Sequence, residues 1–237
     1  MWRSLVWKEW HEQRWRLWFG AALLGMFTLI GLRTRIMPDE QIVVMGSMLL
    51  GGMLFPLMVA MGLVAPERAE GTLVRLLALP VPAWKVLAAK GLIGAIVCTG
   101  PDLVSAAIAA VVAGDREMAW SQFAQMYAMA IGMTLSTFAW LTAAGVRQPS
   151  EARAGLMGIG VGAGWFLVIA TSSMLAIELF HDQTVMAWVA AFSPFGLTVL
   201  RGGDAPPAVV IGIQLVMFAV VWAWAAWRIG KPGKVVA

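Results

Sequence analysis

The sequence predicts an all-α integral membrane fold of six transmembrane helices, with an N-terminal interfacial elbow helix, a cytoplasmic helix between spans two and three, and an outer re-entrant helical hairpin. Three observations carry this. Of the 237 residues, 60% are hydrophobic and 13% charged, with a mean hydropathy of +0.80, more apolar surface than one soluble core of this size takes up. Six uncharged or nearly uncharged runs, at about 17–32, 42–65, 91–114, 118–146, 154–177 and 205–227, fill most of the chain, and five exceed the ~20 residues a helix needs to cross a bilayer. With the N-terminus on the cytoplasmic side, 13 of the 17 basic residues fall inside, and only Arg33, Arg35, Arg116 and Arg201 fall outside.

Residues 1–16, MWRSLVWKEWHEQRWR, come first. Trp2, Leu5, Val6 and Trp10 share one side of a helical wheel and Ser4, Lys8, His11 and Arg14 the other, while Glu9 and Gln13 interrupt the apolar stripe. Four tryptophans among charges suit the headgroup layer, either as an elbow that touches a cytoplasmic partner or as a plain anchor. The 17–32 run has only 16 residues, and Trp15, Arg16 and Arg33 extend it by interfacial anchoring and snorkelling. A cleaved signal peptide is not expected, given Glu9 and Glu12 before the run and Arg33 and Arg35 after it.

The connections at 66–90 and 178–204 are too short for a soluble domain, so residues 1–237 read as one transmembrane domain. The net charge of +4 and pI near 9.7 face anionic lipid, and no basic stretch with interleaved aromatics suggests nucleic acid. Cys98, the single cysteine, lies in the third span and excludes an intrachain disulfide.

The 66–90 segment reads as two helices with a break. Pro66 suits a helix start, Glu67 and Glu70 complement an N-terminal dipole, and Ala69, Leu73, Leu76 and Leu77 recur at helical spacing. Pro80 and Pro82 end this 67–79 helix, and Lys90 marks the inner edge of span three. The pattern Glu67-Arg68-x-x-Gly71-Thr72-Leu73-x-x-Leu76-Leu77-x-x-Pro80-Val81 resembles the loop after the second helix of ABC-2 type permeases, the membrane subunits of ABC exporters, and Trp7-Lys8-Glu9 resembles their N-terminal elbow.

The resemblance implies that this loop is a coupling helix that docks on a cytoplasmic ABC ATPase. Leu73, Leu76 and Leu77 would then pack against the membrane arm or the ATPase, and Glu67, Arg68 and Arg75 would offer polar contacts beside Gly71, Thr72 and Pro80. It further implies a homodimer, or a heterodimer with a related permease, in the inner membrane, and the inner bias of Arg and Lys puts both termini in the cytoplasm. A haem-exporter-like permease of cytochrome c maturation and a non-transporting membrane scaffold are the alternatives. No G-x-x-x-x-G-K-[ST] run is present, so the chain is not expected to hydrolyse ATP, and no cofactor or metal is implied.

Between spans five and six, Asp182 is expected to cap a helix through Phe192, and Ser193-Pro194 to start a second that ends at Gly202-Gly203. His181 lacks a nucleophile partner, which argues against catalysis. Asp102 is the sole ionisable residue deep in a span and follows Gly100-Pro101, so it marks either the translocation path or a hydrogen-bonded joint at a kink near Thr99 and Ser105. Small residues at four-residue spacing, Ala124, Ala128, Gly132 and Ser136 in span four and Gly158 to Gly164 in span five, predict close helix packing.

Overall fold

The computed structural model describes residues 2–34, 47–77, 82–112, 120–175, 184–197 and 207–229. Helix α1, Trp2–Thr34, is uninterrupted over 33 residues, so the expected elbow and first span share one axis. Its buried stripe runs through Leu5, Glu9, Gln13, Gly20, Leu24 and Thr28, so Glu9 and Gln13, which interrupt the apolar stripe in the sequence, are themselves part of the buried face. A π-helical stretch, Ser47–Leu54, leads into α2, Phe55–Ala69, where Pro56 brings no N–H to the ladder. The remaining helices are α3 (Thr72–Leu77), α4 (Ala83–Val112), α5 (Trp120–Gly145), α6 (Glu151–Leu175), α7 (Thr184–Ala191) and α8 (Pro207–Ile229).

No strand occurs among the described residues. Among the described residues, five stretches are long and apolar enough to cross a membrane: Leu50–Ala69, Ala83–Val111, Ala124–Gly145, Glu151–Ser172 and Ala208–Ile229.

Side-chain contacts give each helix its direction. Lys8 meets Glu67 and Arg16 reaches Met58 O, so α2 runs antiparallel to α1. Glu9 meets Lys90 and Thr28 meets Ser105, so α4 runs parallel to α1 along most of its length. Asp102 meets Thr134, and Gly94 faces Phe138, which sets α5 antiparallel to α4. Gly158 packs on Leu57 and Gly162 on Met53, so α6 opposes α2, while Gly91 faces Trp222 near the end of α8. Helices α1, α4 and α6 therefore leave one end of the bundle, and α2, α5 and α8 return to it. That end carries α3 and a collar of exposed Trp7, Trp15, Trp84 and Trp227, with Arg228 stacked 4.5 Å above Trp224. The main core, with Phe55, Val59, Leu63, Leu87, Val97 and Phe138, fills the space where α2, α4 and α5 meet.

The 67–79 segment differs from its expectation. Pro66 lies inside α2, which continues to Ala69, so Glu67 and Glu70 sit at a helix C-terminus and not at a new N-terminus. Proline leaves the carbonyl of Gly62 without its usual i+4 donor, and the Gln13 side chain supplies one at 3.3 Å. Helix α2 ends where it does because Gly71 adopts φ +71°, the left-handed conformation of a helix-terminating glycine, with its N–H on Arg68 O at 3.2 Å. Helix α3 starts immediately afterwards.

The small-residue stripes also divide. Gly158 packs on α2 and Gly162 on the π-helical stretch before it, whereas Gly160 and Gly164 face open space; Gly132 receives Leu197, and Ser136 donates to Gln214 at 2.9 Å. In the 178–204 segment, α7 ends at Ala191, and Ser193 Oγ accepts the Phe195 N–H at 3.1 Å, as a cap followed by proline should. Gln214 of α8 donates to the carbonyls of Ala191 and Ser193, which fixes this turn against the second turn of α8. His181, Asp182, Gly202 and Gly203 lie outside the described residues.

Candidate functional site

At the α3 end of the bundle, three helices contribute charge to one buried cluster. Leu5, Glu9 and Gln13 follow at four-residue spacing on α1, so Glu9 points inward; α2 brings Glu67 near its terminus, and α4 brings Lys90 in its second turn. Lys90 is 1% exposed, with Nζ 2.8 Å from Glu9 Oε1 and 3.0 Å from Glu67 Oε2. Lys8 Nζ pairs with the other oxygen of Glu67 and lies 3.4 Å from Glu12 Oε1. An ammonium taken out of water needs such compensation, and two carboxylates supply it.

Burial pushes the Glu9 carboxyl up, and Lys90 holds it back only in part. Burial lowers Lys8, yet the hydrogen bond and charge of Glu67, with Glu9 and Glu12 beside it, leave its ammonium above the ordinary value. The oxygens of Glu9, Glu12 and Glu67 come within 4.8 Å of one another, close enough for a metal ion, but Lys8 and Lys90 already bring positive charge among them. A cavity of about 530 Å³ opens beside the cluster, lined by Lys8, Gln13, Arg16, Glu67, Thr72 and Glu151 among others.

The residues expected in the loop take different places. Glu67 is buried in the ion cluster, and Arg68 turns sideways to donate to Val146 O at 3.0 Å, tying the ends of α2 and α5. Gly71 is exposed at the turn, and the Thr72 hydroxyl donates to Glu67 O at 3.2 Å. Leu73 is buried in the main core and anchors α3, while Leu76 borders the cavity. The side chains of Arg75 and Leu77, and all of Pro80, lie outside the described residues. Sequence reasoning missed Glu9 and Lys90 as partners. The available signal was a lone carboxylate in register with the buried stripe of α1 and a lysine at the mouth of span three.

Asp102 lies ~18 Å further along α4 than Lys90, at 1.5 Å per residue. It is fully buried. Thr134 of α5 donates to Oδ2 at 2.8 Å, so the partner is neither Thr99, which turns back to Ala95 O, nor Ser105. Oδ1 packs against Gly51 in the π-helical stretch, where any side chain would overlap it. One turn on, Ser105 joins Thr28 at 2.7 Å and Tyr127 at 3.0 Å, and Thr28 donates to Leu24 O. Helices α1, α4 and α5 are thus joined by hydroxyls at this depth.

These features define a polytopic helical membrane protein with a short helix clamped between two of its spans. A family model described as ABC-2 family transporter protein matches residues 11–148, from the first helix through α5 and including α3 and Asp102, and the chain belongs to that family. No curated protein matches it.

Proposed function

We propose that the chain is the permease subunit of an ABC exporter, working as a homodimer or beside a related permease and driven by a separate cytoplasmic ATPase. Family membership supports the class, and the observation that carries the coupling is the build of α3. Six residues of helix stand between two spans, started by the Gly71 turn and held by buried Leu73, which makes them a rigid contact able to pass force to α2 and α4. Helix α1, which runs alongside α4, serves as the sixth span. The excess of Arg and Lys at the α3 end, with Lys8, Arg14, Arg16, Arg68, Lys85, Arg147, Arg153 and Arg228, supports a cytoplasmic α3 end and cytoplasmic termini in an inner-membrane protein. The α7 turn, fixed by Gln214 inside the outer part of α8, supports a re-entrant outer hairpin.

The chain's own work in this reading is mechanical. Closure of the ATPase pair pushes on α3, shifts the spans and biases inward-open against outward-open arrangements. Asp102 remains the candidate polar group for the path, and its Thr134 bond makes it equally a joint between α4 and α5.

The test is co-purification of the tagged chain with its ATPase. Gly71→Pro forces φ near −65° where the backbone holds +71°, and should reduce ATPase recovery at least about tenfold with membrane insertion intact. Unchanged recovery removes α3 as the docking element. Orientation is read separately: cysteines placed at 147–153 should label only after cell lysis, and labelling from outside overturns the assignment of the α3 end.

A further inference from the structure

The ion cluster has a connectivity that docking alone does not require. Glu67 and Lys90 lie on either side of the loop that holds α3, so their contact closes the base of that loop. Glu9 adds a third element: the same ammonium that closes the loop also grips α1, and Lys8 of α1 holds Glu67 beside it. At its other end α1 is tied to α4 again, through Thr28 and Ser105, and between these ties Leu17 packs on Gly100 and Gly20 on Pro101. Helices α1 and α4 are therefore parallel rods pinned at both ends, and the pin at the α3 end is the charged one.

We propose that Lys90 is a positioning residue that makes α1 move with the ATPase-docking loop, so that a push on α3 displaces α1 and α4 as one body. The inference rests on the coupling reading above and deepens it. The chemistry favours a shared ammonium over a hydrogen bond between neutral groups. Charge-assisted contacts are about twice as strong, and a buried carboxylate that lost its lysine would be left uncompensated, so the three helix ends resist separation. Glu9 is not placed in the docking surface. Its removal leaves the Lys90–Glu67 contact, and with it the closed base of the loop, in place.

The experiment uses the full chain with the ATPase that co-purifies with it, in nanodiscs. Nitroxide labels at Trp18→Cys on α1 and Phe166→Cys on α6, both exposed, report the distance between the helices with and without ATP; Cys98 is buried. The wild-type background should show a nucleotide-dependent change in distance. Glu9→Leu combined with Lys8→Gln, which removes both α1 contacts to the base of the loop and leaves the Lys90–Glu67 pair, should keep ATPase recovery within about twofold while abolishing that change, and Lys90→Arg, which keeps a cation able to bridge two carboxylates, should retain it.

A Lys8→Gln, Glu9→Leu complex that still moves α1 with nucleotide overturns the proposal, as does a wild-type complex in which the distance ignores nucleotide. Failure of the wild-type chain to bind any ATPase overturns the functional reading beneath it instead. The thermal midpoint of the same double variant separates uncoupling from unfolding, because a folded, ATPase-bound variant that no longer moves α1 cannot be explained by lost stability.

Discussion

Helix α4 carries two buried polar sites twelve residues apart, and they are built on opposite plans. At Lys90 the groups are charged and matched, one ammonium between Glu9 and Glu67, with Lys8 on the outer side. At Asp102 no cation stands near among the described residues: the carboxyl meets Thr134, and the adjoining Thr28, Ser105 and Tyr127 form a chain of hydroxyls that ends on a main-chain carbonyl. Depth explains the difference. Near the headgroups, water and lipid phosphate make a charge tolerable once it is paired, whereas in the hydrocarbon region a polar group is held most cheaply by neutral hydrogen bonds within the protein. The charged site should therefore be the more fragile of the two when one member is removed.

Lys90→Met is the harshest test of that contrast. It leaves two buried carboxylates with only Lys8 to compensate them, and should cost about 3–5 kcal/mol, seen as a large fall in the unfolding midpoint of the purified protein. Adding Glu9→Gln and Glu67→Gln to Lys90→Met should recover most of the loss, because no buried charge of the cluster is then left and the half-exposed Lys8 keeps Glu12 as its partner. If the triple variant is no more stable than Lys90→Met alone, lost packing and not unpaired charge explains the effect, and the contrast between the sites fails.

Asp102 should respond more mildly. Thr134 has one proton to share between Asp102 Oδ2 and Ala130 O, 2.8 and 2.9 Å away, so a donor at position 102 suits it as well as an acceptor. Asp102→Asn should change stability by less than about 0.5 kcal/mol, and Asp102→Leu, which deletes the bond between α4 and α5, should cost about 1 kcal/mol. If Asp102→Asn keeps wild-type stability but alters the pH profile of ATP hydrolysis by the complex, the path reading gains over the joint.

What was legible beforehand follows the same division. The span pattern, the special character of the 66–90 loop and the isolation of Asp102 all show in single residues or short runs, because length, proline and a lone charge are local signals. The ion cluster was not legible, because it depends on three segments meeting: Glu9 and Gln13 look like faults in an amphipathic stripe until α2 and α4 are packed beside α1. The mistaken helix start at Pro66 has a related cause. Proline is a start signal by local rules, and inside α2 the Gly62 carbonyl it leaves free is taken up by Gln13, 49 residues before that glycine.

The smallest expected effect is also the finest test of how the charged site is balanced. Burial raises Glu9 above its ordinary value of 4.5 despite Lys90, so between those two values the folded protein binds more proton than the unfolded chain. The stability that Glu9 contributes is then fully present below 4.5 and is lost as pH rises through the raised value, after which it is level. Lys8 does not interfere: with its ammonium held above 10.5, its contribution is fully present throughout acid and neutral pH and is lost only in alkali, beyond its raised value. Glu9→Gln removes the titrating group but keeps an acceptor for Lys90. The midpoint of the wild type minus that of Glu9→Gln, measured from about pH 4 to about pH 8, should therefore fall and then flatten. A difference that grows with pH over this range would mean that Lys90 outweighs burial and holds Glu9 ionised, and the charged site would then be stabilised by its ion pair more strongly than its geometry implies.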